Sequence, residues 1–297
     1  MKVAVAGGTG FIGRHLVRHL LEQGDEPVVI SRRPARGPSP VRHLTWDLLE
    51  HAPEALEGID AIVNLAGESI NQRWTKAAKH RILHSRTETA KAVARMVERL
   101  KYKPKTVLNG SGISIYGSSL AGRFDESSPA RITDFLAAVV EEWERAADGI
   151  RGTRLVKLRT GIVLGADGGA FPLMILPYKL GFGGRIGSGR QWLPWIHIED
   201  MVRAIRYCLI NEEIEGPVNC TAPHPVTMDE FGRTVGRVLN RPHWFPVPAG
   251  LLKMALGEMS VLLLEGQHAI PRKLLDHGFT FRYPALESAI QELVQRR

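Results

Sequence analysis

Apolar residues run almost unbroken from Val3 to Ala6, and a second apolar series, Phe11, Ile12, Leu16 and Leu20, then recurs at helical spacing up to Gly24. The first pattern predicts a short strand from Lys2 to Ala6, the second a helix joined to it by a glycine turn. The alternation continues along the chain. Pro27 to Ile30 is the next β-branched run, and strands are expected around Leu44 to Trp46 and at Ala61 to Leu65. A long helix is expected over Trp74 to Leu100, a strand at Thr106 to Leu108, a helix over Asp134 to Ala147 and a sixth strand at Leu155 to Leu158. Strands that alternate with helices pair in parallel through right-handed crossovers, and strand runs without polar alternation belong to a sheet covered on both faces. The pattern predicts an α/β fold, a doubly wound parallel Rossmann sheet.

After Gly165 the texture changes to a stretch rich in Gly, Pro and aromatic residues, from Gly168 to Trp195. It reads as the start of a smaller, interleaved substrate-side domain at the carboxyl-terminal end, either a pocket wall or lid, or a plain linker. Met201 to Leu209 and Pro217 to Thr221 regain the helix and strand texture. The expected division is therefore residues 1–164 as the Rossmann domain, with 197–222 returning to it, and 165–196 plus 223–297 as the smaller unit. Thr227-Met228-Asp229-Glu230 has the form of a capping box that opens a helix running to Leu239.

Composition narrows the class. In 297 residues, 44% hydrophobic and 24% charged, there is enough apolar material for a large core. The net charge of +8 comes from scattered residues without an aromatic-interleaved basic block, which argues against nucleic acid as a partner. Cys208 and Cys220 are not spaced as metal ligands or as a redox pair and read as buried thiols, so no metal is expected. The amino terminus enters a strand at once and no apolar run reaches membrane-spanning length, so a cytoplasmic location and no membrane partner are expected.

Gly7, Gly10 and Gly13 form G-x-x-G-x-x-G between the first strand and the first helix. Small residues there let the backbone approach a pyrophosphate, whose charge is met by amide N–H groups and the helix amino end. The end of the second strand selects the dinucleotide. Acid at that point binds the ribose hydroxyls of NAD, whereas a 2′-phosphate needs a cation. The chain has Ser31-Arg32-Arg33 without an acid nearby, and Arg36 prolongs the basic run, so the expected cofactor is NADP(H), the alternative being a solvated basic loop. Asp47 either accepts from an adenine amino group or caps the segment after it. Asn64-Leu65-Ala66-Gly67 ends the fourth strand in small residues, suited either to backbone passing close to a cofactor or to an ordinary turn.

With these motifs in place, a family resemblance emerges. Ala6-Gly7-Gly8-Thr9-Gly10-Phe11-Ile12-Gly13, Asn64-Leu65-Ala66-Gly67, Ile115-Tyr116-Gly117 and His197-Ile198-Glu199-Asp200 resemble, in order, the blocks of extended short-chain dehydrogenase/reductases, the NAD(P)-dependent epimerase/dehydratase group. Trp192 to His197, Leu264-Glu265-Gly266-Gln267 and the ending Pro271 to Ala289 resemble the YfcH-like branch of epimerase-family oxidoreductases. The resemblance implies a carboxyl-terminal domain closing over the nicotinamide. By position it implies that Thr9, Gly10, Phe11 and Ile12 meet the pyrophosphate, Ser31 and Arg32 the 2′-phosphate, and Leu65 and Ala66 the adenosine or ribose side. Val163 and Arg86 would lie along the cofactor, though Arg86 could equally be a helix-surface arginine.

The family's chemistry uses a Tyr-x-x-x-Lys pair, in which the lysine lowers the tyrosine pKa. None of the five tyrosines here has Lys four positions on, and Phe135 and Val139 stand near the expected positions. Gly112 occupies the place of the family's catalytic hydroxyl. Ser111 and Tyr116 are the remaining candidates for catalysis, or a polar strand end and a packing tyrosine. His197 is expected to be a satisfied histidine beside a helix capped by Asp200. Lys179, Arg185 and Arg190 face either an anionic substrate or solvent. Two functions stay open: an NADP(H)-dependent oxidoreductase or epimerase-like enzyme acting on a small substrate, anionic or neutral, and a non-catalytic NADPH sensor that signals to a protein partner.

Overall fold

The computed structural model describes residues 1–35 and 39–295. Arg36 lies outside the described residues. The amino-terminal half runs β1 (Lys2–Ala6), α1 (Phe11–Glu22), β2 (Glu26–Ser31), β3 (Arg42–Thr45), α2 (Trp46–His51), β4 (Ala61–Asn64), α3 (Lys76–Arg99), β5 (Thr106–Gly112), β6 (Arg123–Phe124) and α4 (Phe135–Ala147). There follow β7 (Arg154–Thr160), β8 (Ile162–Gly165), β9 (Gly168–Gly169), α5 (Phe171–Lys179), β10 (Trp192–Leu193), β11 (Trp195–His197) and α6 (Ile198–Ile210). The rest is β12 (Gly216–Cys220), β13 (Val226–Thr227), α7 (Met228–Val238), α8 (Ala249–Leu256), α9 (Val261–Leu264), β14 (His268–Ala269), α10 (Arg272–Asp276) and α11 (Leu286–Gln295).

Seven parallel strands form the central sheet in the order β12-β7-β5-β4-β1-β2-β3. The chain reverses direction across the sheet between β1 and β4, the crevice where open α/β sheets bind ligands. Val3, Val5, Leu16, Leu20, Met201 and Ile205 belong to one core layer, so α1 and α6 cover one face. Ala4, Ala6, Ile62, Val93, Val97 and Trp143 belong to the other, beneath α3 and α4. This two-sided burial is the reason the strands lack polar alternation.

Short pairings stitch the later segments onto this frame. β8 pairs with β11 and with β9, β10 with β13, and β14 with β6. A separate core unites α5, α7 and α11 through Phe171, Ile175, Phe231, Val235, Ile290 and Leu293. The β8–β9 hairpin clasps α1: a Cβ on Gly165, Gly168 or Gly169 would strike the Phe11 ring at 2.5 to 2.8 Å. Asp167 at the hairpin tip meets His15 Nε2 and Arg14 Nη2, each at 3.0 Å.

Several expected boundaries move. The long helix begins at Lys76 because Thr75 Oγ1 accepts from Ala78 N at 3.2 Å and caps it, leaving Trp74 outside with its indole N–H on Ile70 O. β5 runs on to Gly112, beyond Leu108, and β7 spans Arg154–Thr160, because neighbouring strands keep pairing through residues whose side chains are polar. The helix expected from Met201 starts at Ile198. The Thr227–Glu230 capping box forms in full, with Thr227 Oγ1 accepting from Glu230 N and the Glu230 carboxylate accepting from Thr227 N.

Candidate functional site

At the carboxyl end of β1 the chain turns through Gly7, whose φ of +78° is open to glycine and strained for other residues. A Cβ there would also lie 2.8 Å from Leu65 C, so Gly7 lets the β1 and β4 strand ends close on each other. Gly13 has a different constraint, because its Cβ would sit 2.1 Å from Gly7 O; it permits α1 to pack on the turn. Gly10 differs from both. Its Cβ would meet only Gly7 O, at 3.2 Å, and otherwise open space, while Thr9 and Gly10 are exposed. Gly10 is the N-cap of α1 and has no side chain to satisfy the first-turn N–H groups, which are therefore available to an anion. Phe11 has its ring committed to the β8–β9 hairpin and can offer that anion only its backbone N–H.

Beside this turn, at the ends of β2 and β3, Ser31 Oγ donates to Arg33 O and orders the loop. Arg32 and Arg33 are exposed and have no ion-pair partner among the described residues. Asp47 stands exposed in the first turn of α2; the capping anticipated as one of its two roles is performed by Thr45, whose Oγ1 accepts from Leu48 N at 3.2 Å. After β4, the Asn64 amide donates to Asn109 Oδ1 at 2.8 Å and its carbonyl accepts from Ala66 N at 3.2 Å. That pair shapes the turn carrying Leu65, Ala66 and Gly67.

Arg86 of α3 lies against Gly67, where a Cβ would come within 3.3 Å of its side chain. It is half-buried rather than a free helix-surface arginine, with Nη1 donating to Glu68 O and Ile82 O at 3.0 Å each and the guanidinium over the Trp143 ring. Burial lowers its pKa to about 10, with Glu68 opposing the shift from a distance. It is a desolvated cation met by carbonyls and no carboxylate, and such a group favours an anionic neighbour. Val163 is buried in β8 within the α1 and α6 core layer.

Ser111 and Tyr116 come together in one buried network. Ser111 Oγ donates to Glu144 Oε1 at 2.6 Å, and Arg159 reaches both Glu144 oxygens, from Nε at 2.8 Å and from Nη2 at 3.0 Å. Arg159 Nη1 donates to Tyr116 OH at 3.0 Å, and Tyr116 OH donates to Asn219 Oδ1 at 2.7 Å. Tyr116 is 0% exposed, and its ring stacks with Phe124 and meets the Arg159 guanidinium. Burial raises the Tyr116 pKa, against the pull of Arg159. For Glu144 burial acts upward too, but the bonds from Arg159, its charge and the Ser111 hydroxyl prevail and hold the carboxyl below its usual range. Both hydroxyls are thus occupied. Glu144 and Arg159 were not read from the sequence, although an acid at Glu144 on the buried stripe Ala137, Val140, Ala147 of α4 is a visible irregularity.

Phe135 and Val139, expected near the places of the family's Tyr/Lys pair, belong to an apolar cluster with Trp74 and Ile82. Over it opens a cleft of about 460 Å³ between the start of α4 and the α8–α9 segment, lined by Trp74, Phe135, Val261 and Leu264 with Asp134, Lys253, Glu258 and Glu265 among its polar groups. Lys79 of α3 pairs with Glu258 of that lining. Most of the cleft lining comes from residues after 250 and none from the stretch Gly168 to Trp195, and Lys179, Arg185 and Arg190 are exposed to solvent outside it. Gly266 next to it is dictated by Trp192 O, which a Cβ would meet at 1.8 Å. The histidine reading also needs one correction. His197 itself caps α6, its Nδ1 accepting from Glu199 N at 3.1 Å, and its Nε2 lies 2.9 Å from Glu292. Asp200, expected as the cap, is buried and accepts from Arg282 N and Tyr283 N at 2.8 Å each.

Comparison with known proteins accords with this geometry. Residues 3–220 match the model of the NAD dependent epimerase/dehydratase family, and residues 247–293 match a domain of unknown function, DUF1731. The epimerase family protein YfhF of Bacillus subtilis is 46% identical over 100% of this chain and 99% of its own. The crystal structure of human epimerase family protein SDR39U1 with NADPH superposes at a TM-score of 0.94, with 39% identity and 100% of both chains covered. Thermus thermophilus UDP-glucose 4-epimerase, solved with NAD, is 19% identical at a TM-score of 0.76 over 99% of this chain and 98% of its own, a likeness of fold. The order of the parallel strands, the glycine turn at the β1–β4 crevice and a family match spanning the whole sheet make one statement: this chain belongs to the NAD dependent epimerase/dehydratase family.

Proposed function

We propose that the chain binds NADP(H) at the β1–β4 crevice and acts as an oxidoreductase or epimerase-like enzyme on a small substrate held in the cleft beneath α8 and α9. The observation that carries the cofactor choice is the set of cations without carboxylate partners around the glycine turn: Arg32 and Arg33 at the end of β2, and Arg86 beside Gly67. In this reading the N–H groups of Thr9 to Ile12 and the start of α1 meet the pyrophosphate, Gly7 and Gly10 keep the approach open, and Ser31 and Arg32 meet the 2′-phosphate. Leu65, Ala66 and Gly67 offer backbone beside the ribose, Asp47 lies toward the adenine, and Val163 lies along the cofactor. The NADPH in the human relative supports the same choice.

The bound dinucleotide supplies hydride chemistry. The chain must manage the proton. Tyr116 and Ser111 are proposed to hold the strand ends in place through Arg159 and Glu144, since a fully buried hydroxyl with its pKa raised is a poor donor. Lys253 and Glu265, in the cleft lining, are the groups left to serve as acid or base. A specific observation favours a second reading, NADPH binding without turnover in a protein that signals to a partner: the apolar packing of Phe135 and Val139 where the family has its Tyr/Lys pair. A panel of aldehydes, quinones and nucleotide-sugars separates the two. NADPH oxidation near ~10 per second on any of them establishes the enzyme. Rates lower by about 10²- to 10⁴-fold, the usual cost of losing positioned acid/base groups, assign the binding protein instead.

A further inference from the structure

Half of the large apolar side chains exposed on the described surface belong to two short stretches of chain. Leu173 and Leu176 of α5 and Leu180 at its C-cap form one stripe, continued by Phe182 in the turn after it. Trp244 and Phe245 lie alongside: their backbone N–H groups donate to Gly183 O at 2.9 and 3.1 Å, and the Trp244 indole N–H donates to Gly181 O at 3.1 Å. The Phe182 and Phe245 rings meet edge to face. An Ile186–Val247 bridge then brings in α8, an apolar helix none of whose residues is buried, with Leu251 51% and Met254 79% exposed.

Within these two stretches the charges have one sign. No Asp or Glu occurs from Gly168 to Ile198 or from Phe231 to Gly257. Arg233 and Arg237 in the second run are answered by Asp229 and Glu287. Lys179, Arg185, Arg241 and Lys253 are exposed and have no ion-pair partner among the described residues. Leucine and aromatic side chains standing out beside unpaired cations, on a helix lying on the surface, are the pattern of an element that sits in a headgroup layer. An isologous dimer through the same face would set these cations against the same set of cations on the second copy.

We propose that this face docks peripherally on a bilayer carrying anionic lipid, its leucine and aromatic side chains entering the headgroup boundary and Lys179, Arg185 and Arg241 meeting lipid phosphates. The sequence led to an expectation of no membrane partner because no apolar run could span one, and no helix of the described residues is long and apolar enough to cross a membrane; peripheral contact needs no such span.

The test is flotation of the full chain with vesicles of phosphatidylglycerol in phosphatidylcholine and of phosphatidylcholine alone. The chain is expected to float with the first and about tenfold less with the second, and salt that shortens the screening length is expected to release it. K179E/R241E and L180S/M254S should each lower vesicle binding about tenfold or more with unchanged thermal melting. M254S alone gives the same direction should the double variant fail to fold. Absent binding, equal binding to both vesicle types, or variants that bind as the parent does would overturn the proposal. A dimer in sedimentation that L180S/M254S dissolves, or an acidic protein held at this face, in either case without vesicle binding, would overturn it as well.

Discussion

Three glycines of the first turn look alike in sequence and differ in what a side chain would meet. At Gly13 a single methyl group collides with backbone at 2.1 Å, so Gly13→Ala is expected to lower stability by about 1–3 kcal/mol, read in a denaturant melt without cofactor. At Gly10 the protein leaves room. Gly10→Val is expected to melt close to the parent yet lose dinucleotide binding in a fluorescence titration, and retained binding would show that the turn does not face the pyrophosphate. In the proposed site Arg32 carries the discrimination between dinucleotides. The parent should bind NADPH at least tenfold more tightly than NADH, and Arg32→Ala should remove most of that preference while leaving NADH affinity nearly unchanged, since a charge-assisted hydrogen bond is worth about 1.5–3 kcal/mol.

Elements at the sheet's carboxyl edge are joined by the Glu144–Arg159 pair, which links α4 to β7, to β5 through Ser111 and to β12 through Tyr116 and Asn219. Glu144→Gln leaves the buried Arg159 without its counter-charge and is expected to cost about 3–5 kcal/mol. The pH sign follows from the direction of the Glu144 shift. Its folded pKa is lowered, so its contribution is complete above the ordinary carboxylate value of the unfolded chain and is lost as pH falls through the lowered folded value. Melting curves of the parent should therefore show an acid-side loss that the Gln variant lacks. The difference between the two proteins isolates Glu144 from Glu126 and Asp200, whose carboxyls burial shifts upward. Equal acid-side slopes would refute the assignment.

Over the whole molecule, the carboxyl-terminal segment is built into the fold. Leu286, Ile290 and Leu293 of α11 close the core formed by α5 and α7, while Asn219 and Thr221 bond to Ile270 O and Ala269 O. Each large side chain taken from such a core forfeits about 1.5–3 kcal/mol of burial. A chain ended after Pro246 is expected to lose cooperative thermal unfolding and aggregate; a sharp, parent-like melt would show that the sheet stands alone. Ligand should act on the same melt. NADPH at about 100 times its dissociation constant is expected to add about 2.7 kcal/mol, and NADH at the same concentration less.

The sequence by itself determined the parallel α/β sheet, the glycine turn and the basic end of β2. Those features are local: strand runs without alternation, a helix period, glycines at fixed spacing, and arginines where an acid would otherwise stand. Their meaning survives without knowing what lies across space. The tertiary structure decided the rest. In sequence Ser111 and Tyr116 stay open between catalysis and packing; in the fold Glu144, 33 residues from Ser111, and Arg159, 43 residues from Tyr116, close on them. Helix capping fell to His197 because Asp200 is drawn onto the backbone of residues 282 and 283. The cleft wall came from α8 and α9, which fold over α4 from beyond residue 248. A hydrogen bond or a pocket is made by groups brought close in space, and separation along the chain carries no record of that approach.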